Sequence, residues 1–327
     1  MKTGYAILAR KRRWTVPVGP RQDRTMTDPQ HPADLLFGSN LVAMVTPMHP
    51  DGTISEPALA NLVDHLLTTG CDGIVVGGTT GESPTLTEAE TARLVRAVAA
   101  QSKNQARVVA GVGTYDTAAS IRRAREAEAA GADALLLVCP YYSRPSQAGV
   151  VAHCVAVADA AELPVMLYDV PARTGIAMEA ATLIELAGHP RIRAVKDAKG
   201  DLFEAMSVMA RTSLDYYCGL DELNLPYLAC GATGVLSVVG NVVADRNAAL
   251  VRAVRSGDLD SAKAIQVSLI PLVDAIMGTS QGAVMAKAAL AELGIIPYAT
   301  VRLPLLEPPP LHRQRLSDVL ATIAAPV

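Results

Sequence analysis

Gly73-Ile-Val-Val-Gly-Gly-Thr-Thr-Gly-Glu-Ser83 sets the pattern for the whole chain. The run Gly73–Gly77 is apolar, β-branched and too short for a helix, which suits a strand buried on both faces. The glycines and threonines behind it supply a tight turn. Thr87 then offers an N-cap, with Glu88 and Glu90 in the first turn of a helical stretch reaching about 102. Strand, turn and helix in that order make one βα unit.

The same unit recurs from Ser39 onward. Seven further apolar runs lie at Leu41–Val45, Val108–Val112, Ala134–Val138, Val165–Tyr168, Ile192–Lys196, Asp215–Cys218 and Gly234–Val238. Helical patterns follow them near 55–70, 117–130, 147–161, 179–188, 201–212, 221–230 and 242–255. Eight alternations imply an all-parallel sheet closed into an α/β (β/α)8 TIM barrel. An open doubly wound sheet would carry a glycine fingerprint after its first strand. Thr46-Pro47-Met48 stands there instead. Beyond 256 no strand pattern remains, and helical stretches near 258–277, 283–293 and 312–323 form a C-terminal helical appendage. The expected division is a basic N-terminal extension over 1–33, the barrel over 34–256 and a helical region over 257–327.

Composition agrees with this reading and excludes others. The chain has 327 residues, of which 50% are hydrophobic, 19% charged and only 4% aromatic. A formal net charge of −3 gives no reason to expect nucleic acid or an anionic membrane as partner. No apolar run reaches the ~18–20 residues of a membrane span. Five cysteines with no CxxC spacing point to free thiols and a cytoplasmic setting rather than a disulfide framework. The first 25 residues hold seven basic side chains against one acid, Asp23. They read as a disordered tail or an over-long start ahead of Met26, because no apolar stretch follows Arg12-Arg13 to make an export signal.

Active sites in such barrels lie at the C-terminal ends of the strands. Lys196 caps the sixth run. It is either a solvated strand-end lysine or an amine that an apolar barrel mouth keeps neutral and nucleophilic. The Gly77–Gly81 turn is either a capping turn or a cradle of backbone N–H groups for a carboxylate, with Gly78, Thr79 and Thr80 at its centre. Tyr141, Tyr142 and Tyr168 are three phenols in an aromatic-poor chain, either core or proton carriers. Arg173, just beyond Pro171, is either a surface arginine or a bidentate grip on a carboxylate. HExxH and GxxxxGK[ST] are absent, and the six histidines show no metal-ligand spacing.

Gly78-Thr-Thr-Gly-Glu82, Pro140-Tyr-Tyr142, Leu167-Tyr168 with Pro171-Ala-Arg-Thr-Gly175, and Val195-Lys196-Asp197 together resemble the dihydrodipicolinate synthase branch of the pyruvate-dependent aldolases, in the N-acetylneuraminate lyase superfamily. The resemblance runs from about Phe37 to Leu306. It implies that Lys196 forms a Schiff base with pyruvate and that Tyr168 relays protons. Thr79 and Tyr142 match its relay partners, with Tyr142 serving the neighbouring subunit's site. Thr80 matches a donor to the pyruvate carboxylate. Gly78 and Leu236 match positions lining the pyruvate pocket, and Arg173 matches the grip on the carboxylate of L-aspartate 4-semialdehyde. The implied reaction is an aldol condensation giving 4-hydroxy-tetrahydrodipicolinate, in lysine and diaminopimelate biosynthesis. It needs no metal or organic cofactor. The implied assembly is a tetramer built from dimers.

Arg173 and the Thr79-Thr80 pair favour the synthase over sialic-acid and sugar-acid lyases. Two departures stand out. Positions that hold lysine in inhibited members here read Glu88, Thr91, Tyr115 and Ala119, so weak or absent lysine feedback is expected. Gly219-Leu-Asp221 replaces a common Gly-Asp-Asp, which leaves room for a related aldolase or lyase with a different aldehyde. A catalytically silent pyruvate-binding barrel is a third reading, opposed by the intact set Thr79, Tyr142, Tyr168 and Lys196.

Overall fold

The computed structural model describes residues 35–323; the basic extension over 1–33 lies outside the described residues. Eight parallel strands form a closed barrel in which strands adjacent in sequence are adjacent in space. They are β1 (Asn40–Ala43), β2 (Gly73–Val76), β3 (Arg107–Gly111), β4 (Ala134–Val138), β5 (Val165–Asp169), β6 (Ile192–Asp197), β7 (Asp215–Cys218) and β8 (Gly234–Ser237). β8 closes on β1 through the pairs Asn40–Val235, Leu41–Leu236 and Val42–Ser237. Each of the eight expected runs overlaps one strand.

The helices are α1 (Glu56–Thr68), α2 (Glu88–Gln101), α3 (Thr117–Ala129), α4 (Gln147–Ala158), α5 (Pro171–Thr174), α6 (Ala180–Leu186), α7 (Leu202–Met209), α8 (Asn224–Ala229), α9 (Gly240–Arg255), α10 (Leu259–Met277), α11 (Gly282–Glu292) and α12 (Pro310–Ile323). Thr87 caps α2 through a reciprocal capping box with Glu90. The short α5 was not evident in the sequence, since four residues carry no 3.6-residue period. The expected single helix over 221–230 divides into a 3-10 turn, Asp221–Leu223, followed by α8.

Alternation along the strands builds two cores. Val42, Ile74, Val76, Leu135, Leu167 and Val195 face the helices. Leu41, Val75, Val109, Leu136, Met166 and Leu236 fill the barrel interior. Burying each such side chain contributes about 1.5–3 kcal/mol before the ordering entropy is counted. α10 packs on α9 and α12, and α11 on α9, α10 and α12. Every residue of α11 from Gly282 to Leu290 is buried. Among the described residues no single helix is long and apolar enough to cross a membrane.

One irregularity decides where the site falls. Val165 pairs with Ile192, but Met166 pairs with Ala194, so Arg193 is an extra residue in β6. Such a bulge reverses the inward–outward phase of everything after it. Ile192 belongs to the outer core and Ala194 to the inner one, although they are two residues apart. Without the bulge, simple alternation would place Lys196 on the same outward face as Ile192.

Candidate active site

Lys196 sits at the C-terminal end of β6, is only 4% exposed, and pairs in register with Tyr168 of β5. Its Nζ lies 4.4 Å from the centroid of the Tyr168 ring. Tyr168 is itself buried in the inner core. The lysine stem is confined from the far side by Gly219: a Cβ there would come within 2.9 Å of Lys196 Cε and 3.0 Å of the Asp197 carbonyl oxygen. Gly219 is required by close packing on the lysine rather than by its φ.

The residues that follow the pair point outward. Asp169 and Asp197 are both buried behind the barrel wall. Burial pushes the Asp169 carboxyl up to about 6, and nearby Lys199 opposes that rise. Burial also raises Asp197, against its hydrogen bonds from the Lys199 and Gly200 amides. Lys199 Nζ lies 3.3 Å from Asp169 Oδ2 and 2.9 Å from Glu204 Oε1. These groups brace the ends of β5 and β6 from outside the cavity.

A cleft of about 220 Å³ opens above the strand ends, lined among others by Thr79, Thr80, Arg173, Val238 and Gln281. Lys196 and Tyr168 are not part of that lining. Thr79 and Thr80 lie in a turn closed by Gly81 N–H and Ser83 N–H donating to the Gly78 carbonyl, at 3.0 and 3.2 Å. Arg173, on α5, is exposed and donates to Gln281 Oε1 at 3.2 Å. Leu236 is fully buried in the inner core, and Val238, two residues on, is the β8-end residue that lines the cleft. Tyr142 stands apart: it is 90% exposed, with φ of 70°.

Two contributors, Gln281 and Asp221, carried no functional signal in the sequence. Gln281 arrives from the N-terminus of α11, more than a hundred residues from Arg173. Asp221 is buried and accepts from the Ser237 hydroxyl and from the Val238 and Val239 amides, the latter two at 2.9 and 3.1 Å. It thereby fixes the loop after β8 that lines the cleft, and its ties to that loop go with the break before α8. Leu220, beside it, packs partly buried against both cores. The departure from Gly-Asp-Asp therefore places an apolar group there and leaves the structural carboxylate intact. Among the described residues, no group of three or more His, Cys, Asp or Glu side chains could hold a metal ion.

The chain matches the dihydrodipicolinate synthetase family over residues 36–323. It belongs to that family. A 4-hydroxy-tetrahydrodipicolinate synthase of Mycolicibacterium paratuberculosis is 50% identical over 259 residues, covering 79% of this chain and 86% of the relative. One from Acidothermus cellulolyticus is 49% identical over 297 residues, 90% of this chain and 95% of the relative. Among solved structures, a dihydrodipicolinate synthase from Bacillus anthracis superposes with a TM-score of 0.85 at 36% identity, covering 89% of this chain and 99% of that one. The activity is that of a 4-hydroxy-tetrahydrodipicolinate synthase, a lyase of lysine and diaminopimelate biosynthesis. A family member with a different aldehyde acceptor is not favoured.

Proposed function

We propose that the family's reaction runs on this chain through a covalent imine between Lys196 and pyruvate, with the residues above in specific roles. The supporting observation is the buried Lys196–Tyr168 pair, 4.4 Å from Nζ to ring centroid, at the base of strand ends whose loops carry Thr79, Thr80 and Arg173.

The free amine of Lys196 attacks the ketone carbon of pyruvate. Loss of water gives the imine, which acts as an electron sink, so no metal or organic cofactor is required. Tyr168, beside Nζ, moves the protons that imine formation and methyl deprotonation require. The resulting enamine carbon attacks the aldehyde carbon of L-aspartate 4-semialdehyde. The amine of the condensed product then displaces Lys196 and closes the ring. Thr80 and the Gly78 turn hold the pyruvate carboxylate, Thr79 passes protons to Tyr168, and Leu236 shapes the pocket floor.

Arg173 holds the acceptor carboxylate, steadied by Gln281. Arg173→Ala is expected to raise KM for aspartate semialdehyde by about tenfold or more, the loss of one charge-assisted pair, with pyruvate KM little changed. Initial rates with each substrate varied in turn check this. A raised pyruvate KM with an unchanged acceptor KM would reassign the arginine.

The working unit is an oligomer, by our reading a tetramer built from dimers. Tyr142 reaches a partner's relay, which accounts for a tyrosine 90% exposed in the single chain. Phe203 and Met206, 84% and 45% exposed on α7, offer a second apolar face. The setting is the cytoplasm, where five unpaired cysteines are stable.

Lysine is expected to inhibit weakly. Glu88 is already approached by Arg122 and Arg123, at 3.4 and 3.7 Å. Tyr115 packs edge-on against Tyr141 with centroids 5.3 Å apart. An incoming ammonium would meet two guanidinium groups there. Strong inhibition by sub-millimolar lysine in an initial-rate assay would contradict this reading.

A further inference from the structure

Glu82 ends the turn that carries Thr79 and Thr80, and its amide donates to the Thr79 carbonyl at 3.1 Å. Its φ is 61°, in the left-handed region where a side chain is strained and glycine is the default occupant. A glutamate there needs a reason that glycine could not serve. The carboxylate is fully buried and has two partners distant in sequence. Oε1 accepts from Lys287 Nζ of α11, and Oε2 accepts from the Arg302 amide at 2.9 Å. Lys287 is itself fully buried and also donates to the Thr300 carbonyl at 2.6 Å. The Arg302 guanidinium continues the network, donating to the Gly52 and Thr85 carbonyls at 2.9 and 2.7 Å and to the Glu90 carboxylate.

Desolvating two charges is costly, and a buried ion pair is a poor route to stability when apolar groups could fill the same space. What such a pair fixes well is geometry: both carboxylate oxygens are committed, to partners on different segments. We propose that Glu82 is a positioning residue for pyruvate. Its carboxylate, clamped by Lys287 and the Arg302 amide, holds Thr79 and Thr80 in working position and makes the C-terminal helical region part of the pyruvate site. The proposal rests on the reading of Thr79 and Thr80 as pyruvate-site residues.

The test separates positioning from support. Glu82→Gln, Lys287→Met, the double variant and Thr80→Val are compared for melting temperature, kcat and KM of each substrate. They are also compared for the rate of borohydride-trapped pyruvate adduct. Each single variant at the pair strands a buried polar partner, so its melting temperature falls. The double variant removes both charges and recovers much of that loss. Positioning predicts that the folded double variant still shows a pyruvate KM raised about tenfold or more and slower adduct formation, because small displacements of substrate-holding groups are costly. Its acceptor KM stays near wild type. A pyruvate KM that returns to normal along with the melting temperature overturns the proposal, provided Thr80→Val has a raised pyruvate KM. An unchanged pyruvate KM in Thr80→Val overturns the site reading, and this proposal with it.

Discussion

Lys196→Ala is expected to abolish synthase turnover, with kcat falling by about 10⁴-fold or more, while the protein remains folded. The magnitude follows from chemistry. Without the amine there is no imine, the methyl protons of pyruvate keep the low acidity of a simple ketone, and no nearby group substitutes as the electron sink. Lys199 is not a replacement: it is held outside the barrel wall, 3.3 Å from Asp169 and 2.9 Å from Glu204. Stability is expected to survive. The truncation leaves a small space at the barrel mouth but also removes a buried amine that has little hydration. Pyruvate consumption coupled to aspartate semialdehyde, read alongside a thermal melt, checks both halves. Residual turnover within tenfold of wild type would mean that another group carries the reaction.

Tyr168→Phe is the second large effect. The substitution keeps the ring that lies 4.4 Å from Lys196 Nζ and keeps its packing in the inner core. Only the hydroxyl is lost. Kcat is expected to fall by about 10²–10⁴-fold, the usual contribution of a positioned proton donor and acceptor. Pyruvate KM should change little, because ring and carboxylate contacts remain. Imine formation and methyl deprotonation both slow, so the borohydride-trapped adduct should also accumulate more slowly. Unchanged kcat would remove Tyr168 from the proton path and leave its ring as packing alone.

The barrel was legible because most of its strands are short β-branched or leucine-rich runs, and each is followed by a helical pattern. Thr87 with Glu90 was a helix start that the structure reproduces in full. The C-terminal helices were equally plain from their periodicity. What could not be read was phase. Ile192-Arg-Ala-Val-Lys196 does not by itself mark Arg193 as bulged, and so does not say that Lys196 faces the barrel interior. The helix expected over 221–230 broke for a comparable reason: Asp221 is committed to amides of the loop after β8, a tertiary demand that local periodicity does not carry.

The candidate site was legible as a set of strand-end residues, because the barrel gathers strand ends whatever their separation in sequence. Its support was not. Glu82 stood in view within Gly78-Thr-Thr-Gly-Glu82, but its partners Lys287 and Arg302 lie 205 and 220 positions away. Gln281 beside Arg173 and Gly219 against the lysine stem were hidden in the same way. Leu220 looked like the loss of a useful carboxylate. The structure shows that the neighbouring Asp221 holds the loop after β8, and that Leu220 packs apolar surface instead.

The most direct test of the account is to incubate the protein with pyruvate and borohydride, then locate the adduct by peptide mapping. One reduced pyruvate per chain is expected, on Lys196, and none on Lys196→Ala. No adduct in a folded protein, or an adduct confined to another lysine, would contradict it.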